Sequence, residues 1–367
     1  MASAGVRGEG LMEALAGALH VSPTLHDKVA ALRRAMADGT LVVVTDFDHT
    51  LTMPVSQECH DIVGNAAGMP EPFRAAMAEL LDFSQPVPAH GCTTPDAWWG
   101  RCNDLMVEHG LTKGVIREMV AAAPCFPRAG LDELLGACAT RTVPLLVVSA
   151  GLSDVIEEFL KQRCPAYSSI IEQQEGGQGG IEEETMPALL LRVSANRMVF
   201  SEEPSGGDHQ LVAFEAPSPW HSHNKHETAE REKAFLLSST QWRRQSHNDD
   251  SGDNTDATAT TAAVTAGIEQ VLVLGDKPYD VDAASGIVDG SLLVDSDGSC
   301  GAAVEPRCPV PPHQLRIGFF DAGGTRYSLE EYKDAFDVVL PSSDSGLEIA
   351  IALLNDEQSD EQQGGAL

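Results

Sequence analysis

Positive charge is scarce in this chain. Twenty-four Lys and Arg stand against 55 Asp and Glu in 367 residues, a formal net charge of −31. A field of that sign repels DNA and RNA, and no Lys/Arg-rich run offers a local exception, so a nucleic acid polymer is not expected as partner. No apolar run approaches the ~18 residues that a membrane-spanning helix needs. The N-terminus lacks the charged stretch followed by an apolar stretch that marks a secretory leader. Cysteines number eight, with no Cys-x-x-Cys pair among them. Scattered cysteines in a chain of this size are those of a reduced protein, and the expectation is a cytoplasmic location without a membrane partner. Nothing in the sequence fixes an oligomeric state.

Leu41 to Thr45 is a run of apolar and β-branched residues without polar alternation, the pattern of a parallel strand buried on both faces. It ends in Asp46-Phe47-Asp48. Strand ends of open α/β sheets are where ligands bind, and two carboxylates there need a cation or a proton if they are buried. Val143 to Ser149 and Val271 to Asp276 repeat the pattern. The second ends in Ser149-Ala150-Gly151 before an amphipathic helix from Leu152, where backbone N–H groups favour an anion, although an ordinary N-cap reads the same. The third ends in Asp276-Lys277-Pro278-Tyr279-Asp280.

Between the first two strands, helical spacing recurs, with Thr112 as a cap and Pro70 and Pro95 at helix starts. This predicts a helical insertion rather than a single crossover. Strands alternating with helices argue a doubly wound, Rossmann-like parallel sheet. The expected division is an α/β core over 24–54 and 143–355 and a helical cap over 55–142. Spans 201–222 and 238–266 are expected to be flexible insertions, with loose termini at 1–23 and 356–367.

Asp46, Asp48, Ser149, Lys225, Asp276 and Asp280 together supply the parts for phosphoryl transfer: a nucleophile, an acid, donors to the phosphate oxygens, and carboxylates for a hard cation such as Mg²⁺. His221, His223 and His226 beside Lys225 suggest a transition-metal site, but no cysteine accompanies them. Of Trp98 and Trp99, adjacent on one helix, only one can face inward.

The stretches DFDHTLT (46–52), CHDIVGN (59–65), VVSAGLSDVIEEFL (147–160), NRMVF (196–200), NKHE (224–227), VLGDKPYDVDAASG (273–286), HQLRIGF (313–319) and FDVVLPSSDSGLEIA (336–350) resemble the cytosolic pyrimidine 5'-nucleotidase family (cytosolic 5'-nucleotidase type III) of the haloacid dehalogenase superfamily. The resemblance implies a core of the haloacid dehalogenase type, with a cap inserted after the first motif strand. It also implies Mg²⁺-dependent hydrolysis of a nucleoside 5'-monophosphate, pyrimidine preferred, through an aspartyl-phosphate. Asp46 would be the nucleophile and Asp48 the general acid and then base. Ser149, the Ala150 N–H and Lys225 would hold the phosphate. Asp46, Asp276 and the Asp48 carbonyl would bind Mg²⁺, and Asp280 would orient its neighbours.

Two departures stand out. The family's base-contacting acid, in a Tyr-Tyr-x-x-Glu stretch, matches Pro88, and a serine near the base matches Glu108. Two readings of Glu108 stand: a solvated helix-end acid with no ligand contact, or an acceptor that has moved there from the lost position, so that a base with an exocyclic amino group, such as cytosine, is still preferred. The acidic motif reads DKPYD where the family usually has Gly before its second Asp, and Lys277-Pro278 crowds the metal loop. The alternatives are a phosphatase of a sugar phosphate or phosphoserine, and a nucleotide-binding protein without turnover.

Overall fold

The computed structural model describes residues 9–82, 92, 94–169, 191–204, 207–216, 224–232, 236, 267–288 and 313–355. The chain opens with α1 (Glu9–Leu15), β1 (His20–Val21), α2 (Leu25–Ala37) and β2 (Leu41–Thr45). Then come α3 (Cys59–Gly64), α4 (Glu71–Leu80), α5 (Pro95–Glu108), α6 (Lys113–Ala122) and α7 (Leu131–Thr140). After them run β3 (Leu145–Leu152), α8 (Ser153–Arg163), β4 (Leu191–Asn196), β5 (Met198–Phe200), β6 (Leu211–Phe214) and α9 (Lys225–Arg231). β7 (Gln270–Gly275), a 3₁₀ turn (Pro278–Val281), α10 (Asp282–Val288), β8 (His313–Phe320), α11 (Leu329–Ala335), β9 (Val338–Pro341) and α12 (Glu348–Asn355) complete it.

The main sheet has the order β1-β9-β8-β7-β2-β3-β4. All neighbours are parallel except β1 with β9. β2 is fully buried, and its alternate residues enter different cores. Leu41 and Val43 join a cluster with α2 and α8, while Val42 and Val44 pack with Ala229, Ala283 and Ile287 of α9 and α10. Helices on both faces make it the doubly wound α/β sheet expected. After β2 the chain goes to β3 on one side, and later returns to β7 on the other. That reversal opens a crevice at the C-terminal end of β2, where such sheets bind ligands.

Residues 9–23, placed in a loose terminus, are packed. α1 rests on α12, and His20 and Val21 pair with Val339 and Val338. Edge pairing rewards two residues that carry almost no periodic signal. The 201–222 span is not simply a flexible insertion: β6 pairs antiparallel with β5, and the Leu211 N–H donates to Leu111 O at 2.7 Å. Of the described residues between these strands, Asp208 accepts from Gly114 N of α6 at 2.6 Å, and 205–206 and 217–222 lie outside the described residues. Within 55–142, α3 packs on α4 and α6, but α7 packs on α12 of the core. The tail at 356–367 and the 238–266 span also lie outside the described residues. Thr112 caps as the sequence suggests, its side chain accepting from Val115 N at 3.3 Å, and the Thr94 side chain likewise accepts from Ala97 N at 3.2 Å. No helix among the described residues is long and apolar enough to cross a membrane.

Candidate active site

Register does most of the assembly. Thr45 stands opposite Leu274 of β7 and Val147 of β3, so Asp46 and Asp276, just past β2 and β7, and Ser149, in the C-terminal half of β3, emerge at one end of the sheet. Carboxylate oxygens of Asp46, Asp276 and Asp280 lie within 4.8 Å of one another, and all three residues are buried. Asp280 reaches back over the 3₁₀ turn. Its Oδ2 accepts from the N–H groups of Asp276 (2.9 Å) and Lys277 (2.8 Å). A Cβ on Gly275 would lie 2.5 Å from that of Asp280, so only glycine permits this closure. These two bonds tie the Asp280 carboxylate to the backbone at the start of the loop.

Lys225, at the first position of α9, is 5% exposed and donates to Asp46 Oδ1 and Asp280 Oδ1, each at 2.6 Å. Burial alone would depress its pKa, but the Asp280 and Asp46 carboxylates reverse this and hold it well above the usual lysine range. Burial raises Asp46, and Lys225 works against that rise. Asp48 is held well above the usual carboxylate range by burial, then by the charges of Glu58 and Asp46. Its Oδ1 accepts from Cys59 N at 3.2 Å. Asp46 is thus paired with a fixed cation, while Asp48, two residues on, has neighbouring acids that add to the upward push of burial, a division that suits a nucleophile and an acid.

His49, between this pair and Thr50, adopts φ +61°, a strained choice for a residue with a side chain. Its Nδ1 is 3.6 Å from Glu58 and 3.9 Å from Asp276. The irregular last residues of β3 are held from two sides: Asn196 Nδ2 donates to Ala150 O and Gly151 O at 3.0 Å, and Trp99 Nε1 donates to Ala150 O at 2.9 Å. Ser149 Oγ accepts from Gly151 N at 3.0 Å. Trp98 turns into the core instead and donates to Leu80 O, as adjacency on a helix requires.

Glu108 is not brought to this cluster. At 1.5 Å per residue it lies about 13 Å along α5 from Trp99, and its half-exposed carboxylate pairs with Arg101 at 2.9 Å. That is the arrangement of a solvated acid near the end of a helix, one of the two readings the sequence leaves for Glu108. Pro88, His221 and His223 fall outside the described residues, and His226 meets Glu227 at 3.7 Å on the surface.

Sequence reasoning missed Arg128, which is among the largest fully buried side chains of the described residues. Its guanidinium donates to Thr50 O, His49 O, Ser342 O and Ser345 O, and lies 4.0 Å from the Phe319 ring centroid. It ties the Asp46 loop to the loop after β9. A lone Arg after Pro127 carries no motif, and only the fold reveals what it joins.

The donor set fits Mg²⁺: Asp46 and Asp276 offer hard oxygen ligands at one buried point. Lys277 of the same loop has its ammonium on Asp276 Oδ2.

Residues 51–172 match the model of the pyrimidine 5'-nucleotidase (UMPH-1) family. A 7-methylguanosine phosphate-specific 5'-nucleotidase of Gallus gallus is 26% identical over 162 residues, 39% of this chain and 55% of the relative. The putative cytosolic 5'-nucleotidase 3 of Caenorhabditis elegans is 25% identical over 153 residues, 37% of this chain and 41% of the relative. The chain thus spans about half the length of the curated relatives it matches. Among solved structures, cytosolic 5'-nucleotidase IIIB bound to cytidine shares the fold with a TM-score of 0.57 at 19% identity, covering 89% of this chain and 88% of that one. The resemblance read from the motifs is borne out: this chain matches the pyrimidine 5'-nucleotidase family over residues 51–172, within a fold it shares with a cytosolic 5'-nucleotidase.

Proposed function

We propose that this protein hydrolyses nucleoside 5'-monophosphates to nucleoside and phosphate. The observation that carries the reading is the Lys225 bridge between Asp46 and Asp280 at the crevice, beside an Asp48 whose pKa is pushed up by burial and by the charges of Glu58 and Asp46. Asp46 attacks phosphorus, and the P–O5' bond breaks as Asp48 gives its proton to the departing oxygen. Asp48 then takes a proton from water as that water attacks the aspartyl-phosphate, which returns free Asp46 and releases phosphate. Ser149, the Ala150 N–H and Lys225 hold the phosphate oxygens throughout.

Mg²⁺, bound by Asp46, Asp276 and the Asp48 carbonyl, would supply charge neutralisation at phosphorus. The net charge of −31 favours a mononucleotide over a polymer, in a cytoplasmic setting consistent with the cytosolic relatives.

A nucleoside leaving group is supported by the family match and by the cytidine held by the solved relative. Trp99, tied to the phosphate-side turn, offers an aromatic face to a base. Pyrimidine preference follows the family match, whereas several relatives are named for 7-methylguanosine phosphate. The test is phosphate release with Mg²⁺ from CMP, UMP, 7-methyl-GMP, GMP, phosphoserine and a sugar phosphate, with Asp46→Asn as control. CMP and UMP should turn over fastest. Faster release from phosphoserine or the sugar phosphate would replace the nucleotidase reading. Release no faster than in the control from every ester would leave a binding protein.

A further inference from the structure

Every carboxylate of the buried triad already faces a lysine. Lys225 serves Asp46 and Asp280, and Lys277 serves Asp276. The two lysines differ in freedom: Lys225 is 5% exposed, Lys277 25%. The main chain of Lys277 is pinned by its N–H bond to Asp280 Oδ2 at 2.8 Å, so the side chain alone can move. A cavity of about 60 Å³ adjoins it, lined by Asp276, Lys277, Asp321, Thr325 and Tyr332 among others. That is room for an ammonium group, and Asp321 gives it a second carboxylate.

We infer that Lys277 is a tethered cation that occupies Asp276 when no divalent ion is bound, and that it swings toward Asp321 when one is. This rests on the Mg²⁺ reading given above. Binding then requires the withdrawn conformation, so apparent affinity falls by the fraction of molecules in which Lys277 has left Asp276. The lysine would keep the loop closed without metal and set the Mg²⁺ concentration at which the site fills. Asp276 keeps further contacts once Lys277 departs: its backbone carbonyl accepts from Tyr332 Oη, and its Oδ1 lies 3.5 Å from Thr50 Oγ1.

The experiment is calorimetric titration of Mg²⁺ into the wild-type protein and Lys277→Met, which keeps the aliphatic stem. Binding should tighten about tenfold or more in the variant. Removing a nearby charge would also tighten binding with no movement, so a second measurement uses the wild-type chain alone. Lysine labelling with an amine-reactive reagent, read by mass spectrometry, should be slow at Lys277 without Mg²⁺ and faster with it. Equal labelling with and without Mg²⁺, or unchanged or weaker affinity in the variant, overturns the inference while the metal reading stands. No heat of binding in either protein overturns both.

Discussion

The ammonium of Lys225 stands 2.6 Å from Asp46 Oδ1, and both side chains are at least nine-tenths buried. Neither charge is tenable there alone. Lys225→Met would leave Asp46 and Asp280 buried together with no lysine between them, and one would take up a proton. The expected result is a loss of about 3–5 kcal/mol in urea unfolding, with turnover nearly abolished at neutral pH. Loss of Lys225 also pushes the Asp46 pKa further up, so residual activity should shift to higher pH. Stability within about 1 kcal/mol of wild type would mean that the pair is not the buried bridge described.

Asp48 is separable from Asp46 by leaving group. On the mechanism proposed above, Asp48→Asn removes the proton that the departing O5' needs, whereas an aryl phosphate with a good leaving group needs little help. CMP turnover should fall by about 10²–10⁴-fold, and the first step with p-nitrophenyl phosphate, read as the burst of p-nitrophenol, far less. Equal losses in both would deny Asp48 the role of acid. Asp46→Asn, nearly isosteric, should abolish both and leave the protein folded.

The three strands ending in Asp46, Ser149 and Asp276 were legible because a strand buried on both faces leaves an unbroken apolar run, and the acids after it interrupt that run at once. Parallel register then brings them together without further instruction. Lys225 was found by motif, since its distance along the chain from Asp46 gives no periodic clue. What stayed hidden depends on pairing between distant segments. His20 and Val21 become a strand only because β9 offers an edge, and Leu211–Phe214 only because Met198–Phe200 lies beside it. Glu108 shows the limit of a sequence position, which names a helix but not the direction of its side chain: in the structure its half-exposed carboxylate meets Arg101.

Arg128 gives a prediction about the loop rather than the chemistry. It is buried, burial lowers its pKa to about 10, and its bonds run mainly to carbonyl oxygens, including His49 and Thr50 just past the motif aspartates. Arg128→Met should cost about 3–5 kcal/mol, because several carbonyls lose their donor at once. Arg128→Lys should recover little, since one ammonium cannot span the two loops that the planar fork joins. Urea unfolding of both variants checks this. Near-complete rescue by lysine would show that charge, not the fork, is what the loops require.

The last prediction concerns His60, beside the cysteine whose N–H meets Asp48. Its ring lies 5.4 Å from Trp98 and 6.0 Å from Trp99 between centroids, and its Nε2 has no hydrogen-bond partner. Burial pulls its pKa down to about 4 from 6.5. The folded protein therefore refuses a proton that the unfolded chain accepts between those values. The stability that follows is present in full above the unfolded pKa, near 6.5, and is lost as pH falls toward 4. The shift corresponds to at most about 3 kcal/mol. Buried carboxylates also titrate in acid, so the informative quantity is the difference between wild type and His60→Met, which fills similar space without titrating. Relative to the variant, the wild type should lose stability steadily from pH 6.5 to 4.5 in urea unfolding. Parallel stability curves over that range would show that His60 is protonated as readily in the folded protein as in the unfolded chain.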